Sequence, residues 1–321
     1  MLALLLLVLG DDAPPLTLPT SPNALHAARP TPLLEGRPGQ WDAAIRERGW
    51  IVRDGDRWRL WYTGYDGTRE GIKRVGHAVS DDGLAWIRSP GHPISPNGVW
   101  VEDCCVVRDG DRWVMLHELD ASRVGWLTSP DGLDWTSHGA VAIVNPDGSP
   151  IPSGPTGTPV VLHHDGRWHL FFERYDRGVW RATSDDFATW TLASIEPVFE
   201  PSGRGFDAEM IAFNQIIRDG DRWVALYHGA SKLDRPRLWA NGAAVSGDLA
   251  EWTRWPANPL TPPAANLSSL MAIRDGDGWA FYTTHARIDR LTGEPADPAV
   301  EDASDRSEAA AATGNPVAPA P

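Results

Sequence analysis

The chain has 321 residues and 42% of them are hydrophobic, enough to bury a large core. A formal net charge of −14 with no basic stripe excludes the electrostatic footprint of a nucleic-acid binder. The two cysteines, Cys104 and Cys105, are adjacent, which excludes a disulfide framework and a zinc-ligand spacing.

Met1 to Leu9 is a continuous apolar run, too short to span a bilayer. It has the apolar centre of a secretory signal but lacks the positive residue that precedes one. Residues 1–20 are read as a leader and the protein as an exported monomer. The segment Thr31-Pro32-Leu33-Leu34 follows; its role becomes clear only at the far end of the chain.

From residue 31 to 290 one pattern recurs. Tryptophans at 58, 113, 168, 223 and 279 each end a turn of the type Arg-Asp-Gly-Asp-Arg-Trp, three copies clean and two worn. A β-rich run precedes each turn, as in Gly49-Trp50-Ile51-Val52 and Cys104-Cys105-Val106-Val107. Asp-Gly is a strong hairpin signal, and a second strand follows, as in Trp168-His169-Leu170-Phe171-Phe172. Next come a third strand and a serine turn with tryptophan six residues on: Ser80 to Trp86, Ser129 to Trp135, Ser184 to Trp190, Ser246 to Trp252. Proline-containing segments, His92-Pro93-Ile94, Glu196-Pro197-Val198-Phe199 and Asn258-Pro259-Leu260, are read as fourth, outer strands. Four antiparallel strands in each regular repeat predict an all-β, five-bladed β-propeller. The fifth unit ends, on this reading, after its second strand near His285, and residues 31–34 complete that blade and close the ring. Residues 291–321, rich in Ala, Pro, Asp and Glu, read as a disordered acidic tail.

A closed ring brings equivalent positions together at its axis. Five residues after each repeat tryptophan stand Thr63, Glu118, Glu173, His228 and Thr284, all polar and all directly after an apolar strand. A second set lies at or before the first strands: Asp103, and the paired sequences Trp41-Asp42-Ala43 and Phe206-Asp207-Ala208, whose echo suggests one structural role used twice. Glu47, Glu102 and Glu209 are nearby acids, flanked by Arg46 and Arg48. Carboxylates in a concave pocket with tryptophan nearby suit work on a glycosidic bond: one protonates the leaving oxygen, another activates water or attacks carbon, and a third tunes the acid.

On the blade pattern Trp58-Arg-Leu-Trp-Tyr-Thr-Gly-Tyr-Asp66, the Ala-x-Ser-Asp-Asp-Gly-x-x-Trp of 78–86 and the count of five, the chain resembles the five-bladed propeller glycoside hydrolases of family 43 and its relatives in families 32, 117 and 130. The resemblance implies an aspartate base from blade one, matched by Asp42, a tuning aspartate, matched by Asp103, and a glutamate acid from a middle blade. Blade three carries Thr156-Gly157-Thr158-Pro159 where that acid is expected, so Glu173 is chosen, with Glu118 and Glu209 behind it. Trp41, Glu118, Asp207, Glu209, His228, Thr63, Thr284 and His285 are the expected oligosaccharide- or polysaccharide-binding residues. No cofactor is required, and oxygen ligands at the axis are compatible with a calcium ion. Two other readings stay open: a family-130-type phosphorylase, in which Arg46, Arg48, His117 or His228 grips phosphate, and a non-catalytic sugar-binding propeller.

Overall fold

The five Asp-Gly turns set the architecture. Gly55, Gly110, Gly166, Gly220 and Gly276 have φ between +58° and +76°, a region open to glycine without strain, and each closes the hairpin of the inner two strands of a blade. The computed structural model describes residues 14–29, 31–120, 122–231 and 236–293, which form five small antiparallel sheets, a five-bladed β-propeller. Among the described residues the only helical elements are two three-residue 3-10 turns.

Blade one is built on Trp50–Asp54, Arg57–Tyr65 and Arg74–Ser80, and blade two on Glu102–Asp109, Arg112–Leu119 and Arg123–Ser129. Blade three uses Gly157–His164, Arg167–Glu173 and Val179–Ser184, and blade four Met210–Asp219, Arg222–Ala230 and Ala240–Ser246. The serine turn after the third strand of blades one to four is a hydrogen-bonded unit. Ser80 Oγ accepts from the Gly83 N–H, Asp82 Oδ1 accepts from the N–H groups of Leu84 and Ala85, and Trp86 Nε1 donates to Gly83 O. These turns also stitch blades together: Trp61 Nε1 of blade one donates to Gly132 O of blade two (2.9 Å), and Tyr282 of blade five to Gly83 O of blade one (3.1 Å).

Two expectations about the blades need correction. The fourth strands begin directly after the serine turns, at Ile87–Arg88, Thr136–Ala140, Thr189–Leu192 and Thr253–Arg254. The proline segments continue that edge, because Ile94 N–H donates to Val75 O and Leu260 N–H to Asn241 O further along the same third strands. Proline cannot donate, which breaks the outer strand into two pieces. The fifth unit does not end near His285; a third strand, Arg287–Thr292, follows, so blade structure runs past residue 290. Its outer strand does come from the N-terminus, with His26–Ala27 pairing to Thr292 and Leu291, and Leu34–Glu35 to Ile288 and Arg287. The tail from 294 to 321 lies outside the described residues.

The leader expectation also changes. Leu16, Leu18 and Leu25 are buried in a cluster with Ile217, Val224, Leu226 and Leu291 of blades four and five. Pro14 O accepts from Trp279 Nε1, Pro19 O from Trp255 Nε1, and the Leu16 N–H donates to Asp219. Residues 14–20 are thus part of the folded body, and residues 1–13 lie outside the described residues. No helix among the described residues is long and apolar enough to cross a membrane.

At the axis each inner strand reaches its neighbours through one irregular residue. Arg48, Asp103, Thr158 and Ser269 have φ of +60°, +52°, +44° and +62°, and register shifts mark the inner strands of blades two, three and four. Arg48 is buried. Its guanidinium donates to Thr158 O (3.1 Å), Pro159 O (2.9 Å) and Phe213 O, and its N–H donates to Ser269 Oγ (3.1 Å). Cys104 Sγ lies 3.8 Å from Arg48 O. One residue, through its side chain and its backbone, therefore ties blade one to blades two, three, four and five. Both cysteines are buried and free, and burial pushes Cys105 up to about 12.

Cutting Leu16 or Leu18 back to alanine leaves a cavity under blades four and five. Each substitution is expected to lower unfolding stability by about 2–5 kcal/mol, read from the shift of a urea unfolding midpoint.

Candidate active site

The residues at the ends of the second strands gather around the axial ring. Thr284 Oγ1 accepts from the Gly49 N–H (3.0 Å), Thr63 O accepts from the Arg46 N–H (2.9 Å), and the His228 ring bonds Asn214 Oδ1 (2.6 Å). Glu118 and Glu173 meet across Gly157. A Cβ on that glycine would collide with Glu118 Oε2 and, at 2.7 Å, with Glu173 Oε1. The missing glutamate of blade three is thus a missing side chain with a purpose: glycine makes the space that two carboxyl groups share. Glu102 stands opposite Glu118 in strand register, with Asp103 next to it, and Glu47 accepts from Ser268 Oγ (3.3 Å).

These acids divide by charge state. Burial pushes Glu118 up to about 8, with Glu102, Glu173 and Glu47 adding repulsion, while the Thr158 N–H partly offsets it. Burial and Asp176 push Glu173 up to about 7, against the Asp176 N–H (2.6 Å) and Arg48. Asp103 is raised well above the usual range by burial and by Glu47, Glu118 and Glu102, and its Oδ1 has no partner. Glu47 goes the other way. Burial disfavours its charge, but His285, His228 and Arg46 outweigh that and hold it below the usual range. Carboxyls raised by burial and a Glu47 carboxyl lowered by its neighbours therefore share one pocket, the separation that acid–base catalysis uses.

Aromatic and basic groups complete the rim. Trp100 Nε1 donates to Glu102 Oε2 (3.1 Å), and Arg46 Nε binds the other oxygen at 2.5 Å. The Lys73 ammonium sits over Tyr65 and Trp100, and Trp239 stands edge-on to His228 at 5.0 Å. Thr63 Oγ1, Thr158 Oγ1 and His285 Nδ1 are buried polar atoms with no partner, and all belong to this axial region.

The structure does not bring Asp42 and Asp207 to this pocket. Asp42 is fully buried between Arg37 (2.8 Å), Arg88 (3.0 Å) and the Tyr62 hydroxyl (2.8 Å). Asp207 repeats the arrangement with Arg254 (2.7 Å) and Tyr227 (2.9 Å). Trp41 stacks on Tyr62 as Phe206 stacks on Tyr227. The sequence echo marks a staple that ties the outer part of a blade to its second strand, used in blades one and four. Arg88 and Arg254 each reach on to a backbone carbonyl, of Glu35 and Glu200. Glu209 lies half-buried just before the inner strand of blade four.

Sequence reasoning ranked Glu47 and Glu102 too low and missed Trp100, Lys73 and Trp239. The signal was available for the acids: counting ten or eleven residues back from the repeat tryptophans lands on Arg48 and Glu47, and on Asp103 and Glu102. Calcium does not fit at the Arg48 position, because the carbonyls of Thr158, Pro159 and Phe213 are taken by the guanidinium. Among the described residues no group of three His, Cys, Asp or Glu is arranged to hold a metal.

A five-bladed propeller with acidic side chains gathered at its axis is the class that fold and site define. No family model matches the chain. A glycosyl hydrolase from Bacteroides ovatus superposes with a TM-score of 0.68 at 17% identity, over 88% of this chain and 97% of that one. A structure from work on glycoside hydrolases in the family 130 of mannoside phosphorylases, which target β-1,2 mannosidic linkages in Candida mannan, gives 0.67 at 18% identity, over 88% and 98%. A β-1,2-mannobiose phosphorylase from Listeria innocua, with β-1,2-mannobiose bound, gives 0.60 at 14%, over 83% and 95%. Two uncharacterised proteins of Mycobacterium tuberculosis strains match at 26% identity over 132 residues, 38% of this chain. The chain aligns with 44% of the length of those relatives. At these identities the likeness establishes the fold.

Asp42→Asn removes the charge that two arginines share and is expected to cost about 3 kcal/mol of stability, measured by chemical denaturation. Glu118 and Glu173 set a pH dependence of opposite sign to the usual carboxylate case. Their folded values lie above the ordinary 4.5, so their contribution is complete below pH 4.5 and is lost as pH rises towards 7 and 8. Glu118→Gln should flatten the fall in unfolding midpoint across that window.

Proposed function

We propose that the protein cleaves a glycosidic bond, with Glu118 as proton donor, Glu173 as the carboxyl that shares its space and keeps it protonated, and Glu47 as the ionised base. The observation that carries this reading is the convergence of Glu118 and Glu173 over Gly157, with both carboxyls raised, beside a Glu47 held ionised. Glu118 is chosen over Glu173 as donor because it is the more exposed of the two. Asp103, buried in the same pocket, is itself raised by burial and by Glu47, Glu118 and Glu102. The aromatic rim of Trp100 and Trp239 offers apolar faces to a sugar ring. The similar solved structures include both hydrolases and a phosphorylase.

Hydrolysis is favoured over phosphorolysis by the state of the basic residues. Arg46 is paired with Glu102, Arg48 with three carbonyls and His228 with Asn214. His117 is buried, and burial lowers it to about 4. Engaged or uncharged, these four groups are poorly placed to grip a phosphate.

In the hydrolytic cycle the substrate's glycosidic oxygen takes the proton of Glu118 as the bond to the anomeric carbon breaks. Glu47 removes a proton from the water that attacks that carbon. Activity should fall on the alkaline side near pH 8, where Glu118 loses its proton.

The test is a panel of aryl glycosides and polysaccharides with and without phosphate. Glu118→Gln should lose about 10²–10⁴-fold in kcat on poor leaving groups and far less on dinitrophenyl glycosides, which need no acid. Glu47→Gln should lose activity on both. Unchanged rates in both variants would remove the assignment, and binding without turnover in the wild type would leave a sugar-binding propeller.

A further inference from the structure

A groove of about 550 Å³ opens between blades two and three, within the range of roughly 300–1,000 Å³ usual for small-molecule sites. Val124, Val141, Ile143, Ile151, Pro152 and Thr156 line it, and no acid does. Its one cation, Arg123, is held by Asp120. The lining thus offers apolar surface with hydroxyl and backbone groups, which suits the C–H face and hydroxyls of an uncharged sugar and disfavours an ionic ligand.

The groove is built and it leads to the axis. Its inner end, Thr156, donates its N–H to Ser122 O (2.9 Å) and is followed by Gly157, over which Glu118 and Glu173 meet. Its outer wall is pinned from the loop that follows Glu173. Arg174 donates to Pro152 O (2.7 Å) and the Tyr175 hydroxyl to Ser153 O (3.0 Å), while the Tyr175 side chain remains 49% exposed. Glu173, which shares its space with the donor carboxyl, and the residues that pin the groove wall therefore belong to one continuous stretch of chain.

We infer that this groove is a substrate subsite: it holds the neutral sugar units that extend beyond the bond cleaved at Glu118, so the substrate is an oligosaccharide chain longer than a disaccharide. The inference rests on the glycosidase reading for its chemistry but makes a separate binding claim. Ile143 and Ile151 form the floor under the chain, and Tyr175 holds the wall.

The experiment uses the full chain carrying Glu118→Gln, labelled with ¹³C at isoleucine methyls, and titrated with neutral manno-, gluco- and xylo-oligosaccharides from disaccharide to hexasaccharide. The Ile143 and Ile151 methyl signals should shift with the longer members of the series that binds. In the unsubstituted enzyme kcat/KM should rise about tenfold with chain length, and Ile151→Glu and the surface variant Tyr175→Ala should each remove most of that rise. If no oligosaccharide moves these methyls, or if the rise survives in both variants, the subsite is wrong. Methyl shifts without any turnover by the unsubstituted enzyme would keep the subsite and overturn the glycosidase reading instead.

Discussion

The ring depends on one buried cation. Arg48 leaves blade one and spends its guanidinium on carbonyls of blades three and four, while its backbone engages blades two and five. A buried charge is tolerable only when its donors are satisfied, so the carbonyls that face it cannot drift. The consequence reaches the chemistry in one step. Thr158 gives its carbonyl to Arg48 and its N–H to Glu118. The position of the proposed donor is thereby tied to the point where the blades meet.

The same arrangement sets a local electrostatic tension. Five carboxyls in one axial pocket cannot all ionise, and burial raises those that lack a cation. Glu47 among them is lowered, against its burial, by the neighbouring His285, His228 and Arg46. Stability is given up here so that neighbouring acids differ in protonation. Since hydrolases and a phosphorylase share this fold, the reaction is decided by such side-chain states and not by the propeller.

The fold was readable because the repeat tryptophans and Asp-Gly turns are local signals at constant spacing. The polar ring of Thr63, Glu118, Glu173, His228 and Thr284 was readable for the same reason. Asp42 misled because a buried ion-pair aspartate and a catalytic one look alike in sequence, and only Arg37 and Arg88, one of them far along the chain, tell them apart. Glycine at 157 read as a gap in the acidic pattern, although its meaning lies in two side chains from other strands. The third strand of blade five was missed because Arg287–Thr292 lacks the serine turn that follows the others.

Residues 14–29 and 31–35 lie along blades four and five, next to strands that come more than two hundred residues later in the chain. The buried leucines of this segment find their partners, among them Ile217, Val224 and Leu226, only once blade four has been made. The last blade is completed only by pairing with His26–Ala27 and Leu34–Glu35, so ring closure is a long-range event.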